Sequence, residues 1–139
     1  MLGRKDYTRE EYDHARDAIG AQIAAYKHLV GDDPEAAGQP DRQEFDGLFF
    51  NNMTLVLDRY FVYRLRLAAG ADGNPLNEVE MICDSLMNNG GILRPLSPIK
   101  YLADLSVVRL KIGDRISLSA LEFERLSTAF FAELERRFL

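Results

Sequence analysis

The chain has 139 residues, 47% hydrophobic and 28% charged, with a net charge of −5 and a single cysteine. That balance excludes a disordered or multidomain chain and describes one globular domain, residues 1–139, with one buried core. The acidic excess without a basic segment disfavours nucleic acid as partner. The lone Cys83 rules out an internal disulfide and fits a reducing compartment. No run of about 18 uncharged apolar residues offers a membrane span. The opening residues carry no apolar run behind their charges, so no signal peptide is expected and a cytoplasmic setting follows.

In chain order, Thr8 and Glu11 form an S/T-x-x-E capping box that opens a first helix. Tyr12, Ala15, Ile19, Ile23, Tyr26 and Val30 recur at helical spacing along its apolar face, and Gly31 stops it. Residues 31–42 hold two prolines, two glycines and five charges, which reads as a mobile loop with nothing to bury.

Residues 45–69 read as one long helix, apolar almost all round and therefore expected at the centre of the domain. Its clearly polar arc carries Asn51, Thr54 and Asp58. Asn52, Arg59 and Arg66 recur at heptad spacing within the apolar remainder, flanked by Phe45, Val56 and Tyr63 on one side and Leu48, Leu55 and Val62 on the other. Asn74 and Pro75 start a third helix that runs to residue 88 or 89, with Leu76, Val79, Ile82, Cys83, Leu86 and Met87 as its apolar face.

Pro95 and Pro98 forbid a long helix through the next segment, although residues 98–105 have room for a helical turn or two. Over residues 107–118 the period changes to two. Val108, Leu110 and Ile112 alternate with Arg109 and Lys111, and Ile116 and Leu118 alternate with Arg115 and Ser117. This predicts a β-hairpin with a three-residue loop, Ile112 facing Ile116 and Leu110 facing Leu118. A second capping box, Ser119 with Glu122, opens the last helix, whose core face is Phe123, Leu126, Phe130, Leu134 and Phe138 with Phe131 beside it. The expected fold is mainly α, four helices around the apolar helix 45–69 with one hairpin at 107–118. An α+β domain with a third strand from residues 92–118 is the alternative.

The polar stripe is the candidate site. A charge within an apolar face needs a partner, because burying it alone is costly. Three partners fit. Glu80 and Asp84, on one edge of the third helix, supply an internal ion-pair network. A second copy supplies a seam in which Asn52 fixes register. An acidic ligand would be held by Arg59 and Arg66, whose donor forks match carboxylate or phosphate, with Tyr60 or Tyr63 lining the pocket.

Other chemistry finds less support. Glu11-x-x-His14 has the spacing of a dimetal carboxylate motif, but His28 has Ala25 where the second carboxylate belongs, and both histidines project from the polar side of their helix. No metal or cofactor is expected. Cys83 sits on an apolar face, where a thiol is inert. Neither a nucleophile elbow nor a phosphate loop is present; Asn88-Asn89-Gly90-Gly91 ends a helix and does not open one. A winged helix would place Arg109, Lys111 and Arg115 on phosphates, but the third helix is acidic and no recognition helix is visible.

The run Asn74-Pro75-Leu76-Asn77-Glu78-Val79-Glu80, followed by Ser85-Leu86-Met87-Asn88-Asn89 and Lys111-Ile112-Gly113-Asp114, resembles a family of small actinobacterial proteins with no known activity. The likeness extends over most of the chain. It implies a bacterial cytoplasmic setting and no catalytic residues.

These observations lead to a non-enzymatic domain that self-associates or docks a protein partner. The surplus of large apolar residues, Phe49, Phe50, Phe61, Phe130 and Phe131 among them, is expected to exceed what one core covers. The alternative is an Arg-lined helical pocket for a small acidic ligand. The ligand-binding or interface candidates are Asn52, Arg59, Arg66, Tyr63, Glu80 and Asp84.

Overall fold

A computed structural model describes residues 3–139. Helices make up 64% of the fold and no strand occurs among the described residues, so the protein is mainly α. The helices are α1 (Arg9–Val30), α2 (Pro34–Ala37), α3 (Pro40–Tyr60), α4 (Arg66–Ala69), α5 (Pro75–Asn88) and α6 (Ala120–Phe138), with a 3-10 turn at Ala103–Leu105. Of the four long helices, α1, α5 and α6 keep close to their expected bounds, α3 does not, and α2 and α4 are single turns. Helices α3, α5 and α6 pack on one another, and α1 lies against α3 and α6.

Local chemistry sets most of the boundaries. Both capping boxes form: Thr8 with Glu11 before α1, and Ser119 with Glu122 before α6. Glu11 also receives the Arg4 guanidinium, and that pair first, then the Thr8 amide, hold its carboxyl down at about 2. Before α5, the Asn74 side chain accepts from the amides of Leu76 and Asn77, and Pro75 occupies the first turn. Residues 31–42 are more ordered in shape than their composition implies. Asp33 accepts from the Glu35 amide at 3.0 Å to cap α2, and Pro40 starts α3 five residues before the expected beginning.

The helix expected over 45–69 stops at Tyr60. The cause is Arg64, whose side chain folds back to donate to the Phe61 carbonyl at 3.0 Å, to Asp58 at 2.9 Å and to the Leu76 carbonyl at 3.3 Å. Of these acceptors the Phe61 carbonyl is the one a continuing helix would have used, and the Arg64 amide also reaches it, at 3.1 Å. Residues 61–63 turn, and Arg64 then bridges to Arg4: the Arg4 amide donates to the Tyr63 carbonyl and the Leu65 amide to the Arg4 carbonyl, each at 2.7 Å. Gly3 permits that approach, since a Cβ there would lie 2.7 Å from the Leu65 backbone.

The hairpin at 107–118 does not form. Its inner arm finds other partners: the Val107 and Val108 amides donate to the buried carboxylate of Glu78 at 2.8 and 3.1 Å. Arg109 adopts a left-handed φ of 56°, which breaks the extended run. The outer arm turns to the end of α5 instead, with the Leu93 amide donating to the Asp114 carbonyl and the Ile116 amide to the Gly91 carbonyl. Ile116 and Leu118 are buried as the alternation required, but Ile112 is exposed.

The polar arc of α3 also differs from its expected place, because Asn51, Thr54 and Asp58 lie on the inward side. Asn51 donates to the Ile116 carbonyl at 2.9 Å and accepts from the Leu118 amide at 3.1 Å, as a neighbouring strand would. Thr54 is fully buried and bonds the Phe50 carbonyl. One turn before Asn51, Gly47 lets the 116–118 segment touch the helix; a Cβ would meet Ser117 Oγ at 2.2 Å. Phe50, Met53, Leu57 and Phe61 fill the same inner face and join Phe123, Phe130, Phe131 and Phe138 of α6 in the core.

Replacing Asn51 by Ala removes both partners of the Ile116–Leu118 backbone and is expected to cost about 1–3 kcal/mol in chemical denaturation. Replacing the adjacent Asn52, which is exposed, is expected to stay within about 0.5 kcal/mol.

Candidate interaction surface

With its polar residues turned inward, α3 presents the opposite arc to solvent. Leu48 is 64% exposed and Phe45 48%, with Val56 and Tyr60 exposed further along. Tyr63 just past the helix end is 57% exposed, and Met87 from the end of α5 is 68% exposed. Asn52 and Arg59 stand on the same arc, also exposed. The expected stripe and its apolar flanks thus form an outer face, and they do not line a buried interior. Leu55, Val56, Arg59, Tyr60, Val62 and Met87 line a groove of about 710 Å³ at its far end. Among the described residues no ion pair engages Arg59.

The other candidates separate from this face. Arg66 follows the helix break and pairs with Glu80 at 3.2 Å, which is the internal pairing foreseen for one of the two arginines. It lines a different, smaller groove with Leu67, Asn77 and Leu96. Asp84 accepts from its own helix neighbour Asn88 at 2.9 Å. Arg59 and Arg66 therefore do not share one pocket. Of the aromatic surplus, Phe50, Phe61, Phe130 and Phe131 are buried in the one core and Phe49 is half-buried against it. Exposed apolar surface lies at Phe45, Leu48 and Met87, the last of which was expected in the core, and away from this face at Leu29, Leu67, Leu102, Leu105 and Leu121.

The arginine that is buried is Arg64, its side chain wholly shielded beside Asp58 and its guanidinium carbon 5.5 Å from the Phe130 ring centre. Heptad spacing does not include it. The available signal was a lone arginine, off the stripe, within a run otherwise suited to a core. Its partners are structural, and no ligand is needed to neutralise it.

A second cleft, about 560 Å³, lies between α1, α3 and the start of α6. Its polar centre is closed upon itself: the Tyr26 hydroxyl donates to Asp46 at 2.6 Å and accepts from Arg42 Nε at 3.2 Å. Burial first, and then the Asp46 carboxylate, push the Tyr26 phenol upward, away from any acid–base role near neutrality. Cys83 is buried, its thiol donates to the Thr54 carbonyl at 3.5 Å, and burial followed by the Asp58 charge drives its pKa well above the ordinary thiol range. His14 and His28 are exposed. No cluster of three metal-ligating side chains occurs among the described residues, and no helix there is long and apolar enough to cross a membrane.

In comparison with known proteins, the chain matches no family model, no curated protein and no solved structure. Any functional reading therefore rests on the surface chemistry.

Two measurements test this geometry. Arg64→Ala leaves Asp58 without its cation and removes the side-chain donors to the Phe61 and Leu76 carbonyls, and is expected to cost about 3–5 kcal/mol in denaturant titrations. The Cys83 thiol is expected to resist alkylation at pH 8 in the native protein and to react fully once unfolded, followed by mass spectrometry.

Proposed function

We propose that this chain is a non-enzymatic domain that acts by association, with the outer face of α3 as its docking surface and a second copy of itself as the partner. The observation that carries this reading is the row of exposed apolar side chains on α3. The inner face of the same helix already meets the demands of folding through Asn51, Thr54, Leu57 and Asp58. Phe45, Leu48 and Val56 lie outside the buried core, Phe45 touching its edge by stacking on Phe49 at 5.6 Å, and contiguous exposed apolar surface marks interaction sites. A bacterial, cytoplasmic and reducing setting belongs to the same proposal, supported by the single shielded cysteine.

One observation favours a second reading. Arg59, which makes no ion pair among the described residues, stands with Tyr60 and Asp58 at the edge of an apolar groove, and Asp58 is already engaged by Arg64, an arrangement suited to a small molecule with one carboxylate and an apolar body. Sedimentation across a wide concentration range separates the two readings. Self-association predicts a reversible dimer that Leu48→Glu weakens at least about tenfold without shifting the denaturation midpoint measured at concentrations where both proteins are monomeric. A wild-type chain that stays monomeric at every concentration overturns that reading and leaves the small-ligand groove in its place.

A further inference from the structure

Along the middle of the outer face of α3, six residues are spaced alternately by four and three: Asp41, Phe45, Leu48, Asn52, Leu55 and Arg59. This is the spacing of a coiled-coil seam. Every member is exposed except Leu55, which is half-buried on the floor of the apolar groove. The seam is acidic at the start of the helix, apolar through most of its middle and basic at its end.

We propose, on the basis of the self-association reading, that two copies pair α3 against α3 in antiparallel fashion about a two-fold axis level with Phe50. In this register Asp41 faces Arg59 of the second copy, Phe45 faces Leu55, and Leu48 faces Asn52, each pair occurring twice. A closed, isologous dimer follows, with two ion pairs bracketing the apolar side chains of Phe45, Leu48 and Leu55 and the Asn52 amide of each copy.

Charge selects the orientation. A parallel pair in register sets Asp41 against Asp41 and Arg59 against Arg59, and like charges placed opposite one another are destabilising. The antiparallel pair brings unlike charges together and opposes the two helix dipoles. Helix length selects the register. A shift of one heptad in one direction puts Arg59 against Leu48 and carries Phe45 past the end of α3 at Tyr60. A shift in the other direction leaves Leu55 and Arg59 facing nothing, because α3 begins at Pro40. Shape agrees with the chosen register: Phe45 of the second copy arrives level with Leu55, over the groove of about 710 Å³. There it meets Val56 and Met87, both exposed in the single chain.

The test uses oxidative cross-linking of cysteine variants in the full chain. At 1.5 Å per residue, the two Arg59 positions of the dimer lie about 27 Å apart along the axis, far beyond the roughly 7 Å a disulfide spans. Asp41→Cys and Arg59→Cys proteins are oxidised separately and as an equimolar mixture. A covalent dimer in the mixture alone, with peptide mapping to residues 41 and 59, is the expected result. The mixed dimer keeps one native ion pair, and the shielded Cys83 gives no background. Charge exchange supplies a second readout: Arg59→Asp and Asp41→Arg each weaken the dimer about tenfold, and the double variant restores it. A covalent dimer from Arg59→Cys alone overturns the antiparallel arrangement. So does a wild-type dimer whose mixed variants do not cross-link. In both cases self-association stands, whereas a wild type that is monomeric throughout removes it and this proposal together.

Discussion

The connection between α5 and α6 runs for some thirty residues without a strand to pair with, and its backbone must still find hydrogen-bond partners. An unmade bond at a buried amide or carbonyl costs about 1–3 kcal/mol, so several together would prevent the fold. The helices supply the missing partners as side chains. Glu78 takes two successive amides, Asn51 takes one carbonyl and one amide, and Ser85 takes the Arg94 amide at 3.1 Å. Each is a polar residue on the buried side of a helix. Glu78 is the most demanding, since burial pushes its carboxyl upward while the two amides draw it back. Around these anchors the aromatic core closes, with Tyr7, Phe61, Phe130 and Phe131 meeting edge to face or tilted at 5.0 to 6.1 Å.

That substitution explains which parts of the fold were legible in the chain. Elements defined by their own residues read correctly: the two capping boxes, the Asn74–Pro75 start and the phenylalanine face of α6 each depend on neighbours a few positions away. Elements defined by distant partners did not. The alternation at 107–118 is real, and it does bury Ile116 and Leu118. Yet alternation cannot reveal that Glu78 and Asn51, some thirty and sixty-five residues away, have claimed the hydrogen bonds of a hairpin. For residues 45–69 the only local signal was the lone off-stripe Arg64, and helical periodicity does not show that it turns back on Phe61 and Asp58.

The candidate surface was half legible for the same reason. Heptad spacing placed Asn52, Arg59, Phe45, Leu48 and Tyr63 together, and the structure keeps them on one side. Which side was inverted. Polarity is a proxy for exposure only while water is the best partner available, and on α3 the better partners are backbone groups and Arg64. Once Asn51, Thr54 and Asp58 are drawn inward, the helix has a single free arc, and its apolar residues are obliged to occupy it. The exposed face is thus a consequence of how the irregular connection is held.

Helix α3 is pinned from inside at two places: at its middle, where Gly47 and Asn51 hold residues 116–118, and near its end, where Asp58 receives Arg64. Inserting or deleting one residue between them would turn one anchor about 100° away from the other. No adjustment of side chains could then satisfy both. The helix is therefore a part of fixed length. Change on its outer arc is tolerated residue by residue, while change in residue count is not. Chains descended from a common ancestor with this one would vary in what the outer arc displays and stay constant in the number of residues separating Gly47 from Arg64.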